Sequence, residues 1–571
     1  MPFVPGPHQS ARRQELLGRR AACALTSSTE RDDSAIAADC SLTDTCRTCL
    51  VAYFVMALDF DLEYPPPISE ERGQSLVSQI LDWQISHGSL LKRIDSLTDH
   101  SVLTYPIGVA VFPTLFPRRL FDQALRLQSV YNELYCRMAE DEEWIFWAIR
   151  DLLPVDPFAA TLWDIHREVK KVVPPGPALS AGIFRSDYML QGPTVQLGPG
   201  SDDPATLTLR QVEFNTFSCA GAAHADKVAD MHRYLARAGA YSVGNERQNP
   251  VAVSSLPRNA NIDSLAACLS AAHVAYGPKR SRTATETAIL FVVQPDNFNV
   301  ADERPLEYAL WNRDPSVPVY RIDFGDDLLE RTSLTESREL LLYPLGREGP
   351  VLEVSVVYMR AGYEAHEYDE VGRQARLRLE LSVAVKCPSL LGHICTFKKV
   401  QQALTSPGEL ERFLPSEQAA LVRSTFVRVY PLDDTEAGLY GRSLATDPQT
   451  AHGYILKPSL EGGGHNIFGD AIPGFLSSIP PSAWRAYILM ERIASPRVQN
   501  TLMSASGLDM GDVISELGVF GTCLWQKAPD GVTCDIIQNS VAGWSLKSKY
   551  DYVDEMSVVK GYGCFDTPLL I

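Results

Sequence analysis

Between Lys457 and Asn466 the chain reads Lys-Pro-Ser-Leu-Glu-Gly-Gly-Gly-His-Asn. The three glycines, Gly462, Gly463 and Gly464, leave backbone N–H groups open to an anion at close range. Lys457 ends the strand-like Tyr-Ile-Leu-Lys and adds a fixed positive charge. Glu461 abuts the glycines, where a hard cation bridging phosphates would sit, and Asn466 can ligate or hydrogen-bond the same groups. This is the make-up of a phosphate cradle. It is not the Walker pattern, because Gly-Lys-Ser/Thr is absent. A triple glycine alone reads as a flexible surface loop; the adjoining lysine and glutamate argue otherwise.

A second cluster is Gln211-Val-Glu213-Phe-Asn215-Thr-Phe-Ser218. On a strand, Glu213 and Asn215 point to one face. Two oxygen ligands on one face suit magnesium, which takes its remaining ligands from phosphates and water. An amphipathic strand with a wet face would show the same spacing. Arg185-Ser-Asp-Tyr-Met189 offers a guanidinium that could clamp a carboxylate or phosphate, or pair with Asp187 on the surface. Arg360-Ala-Gly-Tyr363 follows the strand-like Val-Ser-Val-Val-Tyr-Met, and ligands gather at strand ends in α/β sheets. Lys398-Lys399 and Lys547-Ser-Lys549 supply further cations.

The elements that must carry these residues alternate between helical and strand patterns, which predicts a mixed α/β class. Residues 1–63 read as an irregular extension, and Tyr64-Pro-Pro-Pro-Ile as a polyproline-like junction. Ser69-Glu-Glu caps a helix with Leu76, Ile80, Leu81 and Trp83 on one face. Residues 118–153 are helix-rich between Pro117 and Pro154, and a short helix is predicted over 164–173. Strands are predicted at 207–215, 454–457, 486–493 and 519–526, with a helical region opening at Lys398. A boundary at Gly-Pro-Lys near 277 opens a smaller α/β insert, with strands at 287–293, 318–323 and 352–359 and a helix at 303–312. The expected division is therefore 1–63, 64–276, 277–394 and 395–571.

The formal charge of −18, from 70 acidic and 52 basic side chains, argues against a general nucleic-acid or anionic-membrane binder. It leaves room for a local basic pocket. The twelve cysteines lack framework or zinc spacing, Cys46-Arg-Thr-Cys49 being the one close pair, which reads as reduced thiols in a cytoplasmic protein. No apolar run reaches membrane-span length.

Taken together, the strings Arg185-Ser-Asp-Tyr-Met, Glu213-Phe-Asn-Thr, Lys398-Lys-Val-Gln-Gln, Lys457-Pro-x-x-Glu-Gly-Gly-Gly-x-Asn and Ser515-Glu-Leu-Gly resemble eukaryotic glutathione synthetase, from about residue 65 to the C-terminus. The resemblance implies an ATP-grasp fold with an inserted substrate-binding α/β domain, a homodimer, and amide formation from γ-glutamylcysteine and glycine driven by ATP. It assigns magnesium to Glu213, Asn215 and Glu461. It assigns ATP to Met189, Lys398, Lys457, Gly462, Gly463, Gly464, Asn466, Met490, Arg492, Glu516, Lys549 and Glu555, and makes Arg185, Lys398 and Lys457 the catalytic cations.

The amino-acid pockets depart from the family pattern. Arg185, Ser218, Arg360 and Tyr363 match dipeptide-holding positions, but Ala220 stands where the family has a serine. Asn297 and Glu303 stand where it has a glutamate and a glutamine. Lys547 stands where an arginine would hold the glycine carboxylate, and Val558, Val559 and Lys560 occupy an alanine-rich loop. The expectation is an ATP- and magnesium-dependent carboxylate–amine ligase with altered acid and amine. Authentic glutathione synthesis and a catalytically idle, nucleotide-binding partner protein are the alternatives.

Overall fold

A long antiparallel hairpin, Gly507–Lys527 with Cys534–Tyr550, forms the spine of the protein. Its middle, Leu517 to Trp525, is buried on both faces, which is why only 519–526 stood out as a strand. The outer half, from Gly507 to Glu516, is mostly exposed or half-exposed and mixes Gly and Asp with scattered apolar residues, so it carries no apolar run to betray it. Strand Leu179–Gln191 lies antiparallel against the hairpin and sets Glu516 opposite Met189, Gly518 opposite Asp187 and Phe520 opposite Arg185. Strand Thr208–Asn215 pairs on, setting Asp187 opposite Glu213 and Arg185 opposite Asn215 across a bulge at Asp187/Tyr188.

The structure is a computed structural model that describes residues 64–571 except 94–101, 175, 177, 194–205, 244–249, 347, 460–463, 506 and 530–532. The expected extension 1–63 lies outside the described residues, as does Cys46-Arg-Thr-Cys49. The eight described cysteines are all free. No described helix is long and apolar enough to cross a membrane.

The sheet continues through Val385–Cys387 into Leu352–Met359, Glu286–Val293 and Val319–Asp323, all parallel, and ends in short antiparallel strands Leu340–Leu342 and Thr332–Leu334. Leu352–Met359 is buried throughout, as parallel strands covered on both faces are. Among the described residues thirteen strands thus share one sheet, and strands from the 277–394 segment belong to it. Strand Val498–Ser504 pairs both with the hairpin and with Val109–Ala110, which pairs with Cys564–Asp566 and so back to the hairpin. A separate four-stranded antiparallel sheet is ordered Val429–Pro431, Tyr487–Glu491, Tyr454–Pro458, Ile467–Phe468. It carries Lys457 and Met490.

Alternation fixes what the strands aim at the site. Phe214, between Glu213 and Asn215, points to the opposite face, where it stacks on Tyr135 at 3.8 Å and Tyr131 at 5.4 Å from helix Arg118–Glu140. On the other side Leu265 and Leu269 of helix Asn261–Tyr276 join Ile183, Phe520 and Leu524 in one buried cluster. The helix expected over 164–173 begins earlier and spans Pro157–Val172. Asp156 caps it, accepting from the Phe158 and Ala159 N–H groups, with Pro157 in its first turn.

Helix Ala222–Arg237 brings a fully buried histidine, His232, against the Tyr241 hydroxyl. Burial lowers its pKa to about 3. The unfolded chain binds this proton below its ordinary value near 6.5 and the native chain does not, so stability is lost as pH falls from 6.5 toward 3. Asp226, raised by burial to about 7, runs the other way, losing stability as pH rises. Comparing His232→Gln with the parent therefore isolates the histidine. Heat unfolding at pH 5 and pH 7 is expected to show the parent losing about 2 kcal/mol more than the variant on acidification. Equal acid losses in both would contradict it.

Candidate active site

The two sheets meet around a nest of charge. Lys398, first residue of helix Lys398–Leu404, places its Nζ 3.2 Å from Glu213 Oε2. Lys457, in the smaller sheet, donates to the Val212 carbonyl at 3.3 Å. Both lysines are buried. Burial raises the Glu213 pKa, but Lys398, Lys457 and Arg185 outweigh it and hold the carboxyl well below its usual range. Burial lowers the pKa of Lys457 against the opposing pull of Glu213.

Arg185 donates Nε and Nη2 to Asp187, each at 2.7 Å at its shortest, and Nη1 to the Ala220 carbonyl at 3.0 Å. The Asp187 pair that the sequence allowed on the surface is thus formed, but in the interior. Asn215 donates Nδ2 to both Asp187 Oδ2, at 2.9 Å, and Glu213 Oε1, at 3.1 Å. With its nitrogen engaged by two carboxylates, the amide keeps its oxygen for a cation. A carboxylate oxygen of Glu213 and the amide oxygen of Asn215 form the hard, all-oxygen donor set that magnesium takes. Among the described residues no group of three or more His, Cys, Asp or Glu is placed to hold a metal. The third expected ligand, Glu461, lies outside the described residues together with Gly462 and Gly463.

Gly464 and Asn466 are described, and both are held by the C-terminal loop. The Gly464 N–H donates to Glu555 Oε1 at 2.6 Å and Asn466 Nδ2 to the same atom at 3.1 Å. Gly464 has φ +84, a conformation that calls for glycine, and its open face lies beside the Lys560 ammonium. The loop keeps Val558 buried and Val559 and Lys560 exposed, with Ser557 bridged to Tyr562. Met490 is buried on its strand, and Arg492, just beyond, pairs with Asp554 at 3.4 Å.

Glu516 accepts from Lys547 Nζ at 2.6 Å, directly across the hairpin. Lys549, two residues on along the same face, donates to the Val553 carbonyl. Burial lowers its pKa to about 8, with Glu516 pulling upward.

The acid-side residues form a second group at the ends of the parallel strands. Ser218 adopts φ 47, a left-handed turn that aims two carbonyls at two arginines: Cys219 at Arg360 Nη1, 2.9 Å, and Ala220 at Arg185. Arg360 lies 3.2 Å from Glu303 and 3.7 Å from Asp302. Glu303 also accepts from Arg321 at 3.0 Å and from Asn297 at 2.5 Å. Tyr363 donates its hydroxyl to Gln294 at 2.9 Å. Residue reading passed over Asp302, which accepts from the Gly221 and Ala223 N–H groups as well as facing Arg360. It also passed over the Lys399–Asp433 pair, 3.3 Å apart, which ties the Lys398 helix to the smaller-sheet region. Neither pair is visible at short range in sequence.

Two sheets closing on buried lysines define an ATP-grasp fold of the ligase type. A family description, "Eukaryotic glutathione synthase, ATP binding domain", matches residues 70–570. The chain belongs to the eukaryotic glutathione synthetase family. It is 30% identical over 515 residues to the glutathione synthetase large chain of Schizosaccharomyces pombe, covering 88% of this chain and 97% of that one. It is 31% identical over 505 residues to the glutathione synthetase of Homo sapiens, covering 87% and 97%. A glutathione synthetase-like effector from Globodera pallida, solved in apo form, shares the fold with a TM-score of 0.64 at 20% identity, covering 89% of this chain and 99% of that one.

If Lys549 meets ATP, its charge governs affinity. A lysine with pKa near 8 is mostly protonated at pH 7 and mostly neutral at pH 9, so MgATP affinity is expected to weaken about tenfold across that range. Lys549→Arg, which stays charged, should flatten the profile. Calorimetric titration at several pH values reads this, and an unchanged affinity in the parent at pH 9 would remove Lys549 from the site.

Proposed function

We propose that this protein is an ATP- and magnesium-dependent carboxylate–amine ligase whose acid and amine differ from γ-glutamylcysteine and glycine. The observation that carries the ligase reading is the buried nest of Lys398, Lys457 and Arg185 around Glu213 and Asn215. A carboxylate oxygen of the acid attacks the γ-phosphorus of ATP, the bond to the β–γ bridging oxygen breaks, and ADP leaves. The amine nitrogen then attacks the resulting acyl carbonyl, the C–O bond to phosphate breaks, and the nitrogen gives its proton to solvent. Lys398 and Lys457 hold phosphate oxygens, and Arg185 faces the acyl phosphate and the tetrahedral oxyanion. Glu213, Asn215 and Glu461 would hold the magnesium, which when bound neutralises charge on the phosphates. No side chain forms a covalent bond to substrate.

Two features support altered specificity. Arg360, the cation that the family resemblance gives to the dipeptide, already faces Glu303 and Asp302. Lys547, in the place of the acceptor-carboxylate arginine, is paired with Glu516 and lacks the planar fork. A substrate carboxylate must compete with these acids at both ends. We further propose a homodimer working in the cytoplasm, with residues 277–394 supplying the acid pocket, in keeping with the family and with the free described cysteines.

Phosphate release from MgATP with a panel of acids and amines tests the reading. Efficient turnover of γ-glutamylcysteine with glycine would overturn the altered specificity and leave authentic glutathione synthesis. ATP binding without phosphate release from any pair would favour the idle nucleotide-binding relative. Within the ligase reading, Glu213→Gln is expected to lower phosphate release by about a hundredfold or more while the protein stays folded. Unchanged release by that variant would remove Glu213 from the metal set.

A further inference from the structure

We infer that Asp187 and Gly518 together position Arg185, holding it side-on so that its outer edge faces the substrate acid. This rests on the ligase reading through the role given to Arg185. Neither partner carries a function in the proposed mechanism, although Gly518 ends the Ser-Glu-Leu-Gly string.

Arg185 and Asp187 are two apart on one strand and therefore share a face. Asp187 takes the Nε–Nη2 edge of the guanidinium and the Ala220 carbonyl takes one Nη1 hydrogen. A guanidinium has five N–H donors and three are taken, so one hydrogen on each terminal nitrogen is left. That pair fits a two-oxygen acceptor such as a carboxylate or acyl phosphate. The geometry depends on where Asp187 sits. Asn215 Nδ2 holds its Oδ2 at 2.9 Å, and on the neighbouring strand Gly518 lies directly opposite. A Cβ built on Gly518 would fall 2.7 Å from Asp187 Oδ1, 2.7 Å from Ser545 Oγ and 3.0 Å from Arg185 Cδ. The slot in which the pair lies is thus the space of the absent Gly518 side chain. Gly518 is glycine here for room, which neither turn chemistry nor a positive φ explains. Asn215 has a second acceptor in Glu213, so loosening Asp187 need not release it.

The test uses the full-length protein and the acid–amine pair that the parent turns over fastest, γ-glutamylcysteine with glycine included in the panel. Asp187→Asn puts an amide N–H against guanidinium N–H groups. Gly518→Ala fills the slot without changing any charge. Each is expected to lower kcat/KM for the acid by about a hundredfold, the order of a 1 Å misplacement, while KM for MgATP moves less than about threefold. The double variant should be no worse than the worse single variant within about threefold, because both act on one pair. Adding Ser545→Ala to Gly518→Ala should not rescue. A parallel rise in the MgATP KM, multiplying defects, rescue by Ser545→Ala, or a Gly518→Ala protein like the parent would each overturn the inference. If Asp187→Asn does not fold, Gly518→Ala carries the kinetic test alone.

A crystal structure of Gly518→Ala gives an arm independent of turnover: the Arg185 guanidinium should be displaced from Asp187, and an unmoved pair would overturn the inference. Should the parent turn over no pair at all, the ligase reading fails while this arm still decides the packing.

Discussion

Lys398, Lys457 and Arg185 are drawn out of water around two carboxylates, Glu213 and Asp187. Further charges border the group, Glu516 and Glu555 among them beside Lys457, and a buried charge that loses its partner is costly by several kcal/mol. Much of the architecture can be understood as what keeps this group assembled: a helix that delivers Lys398, the smaller sheet that delivers Lys457, and a strand register that places the acids.

The register is held by packing away from the chemistry. Phe214, clamped by Tyr131 and Tyr135, locks the strand that aims Glu213 and Asn215 inward. The hairpin fixes Glu516 against Lys547 and leaves the gap at Gly518. Helix Asn261–Tyr276 backs the same strands from the other side. The acid pocket is built differently, from carbonyls turned by Ser218 and from arginines that already face acids at the ends of parallel strands. The phosphate side is thus a nest of buried lysines, while on the acid side Arg360 already faces two acids. That contrast is where a change of substrate can be accommodated without disturbing the nucleotide.

Local pattern sufficed where the candidate residues lie along one short strand. Glu213 and Asn215 on alternate positions and Lys457 at a strand end were legible from spacing, and the strands at 286–293 and 352–359 from their apolar runs. The full length of the hairpin was not legible, because its outer half is mostly exposed or half-exposed and intersperses Gly and Asp among its apolar residues, leaving no apolar run. The start of helix Pro157–Val172 was missed although Asp156-Pro157 marks it. Asp187 read as a surface partner because its burial depends on strands hundreds of residues away, Gly518 among them. The linkage of Glu555 to Gly464 and Asn466 was likewise invisible, since only the fold brings the two loops together.

The most direct measurement is a crystal structure with ATP and Mn2+ in place of magnesium, with the metal located by its anomalous scattering. The metal should lie between the Glu213 carboxylate and the Asn215 amide oxygen, with Lys398 moved from Glu213 onto phosphate and Lys457 beside it. A metal bound elsewhere, with the Lys398–Glu213 pair intact and nucleotide absent from the nest, would contradict the assignment of this site to ATP.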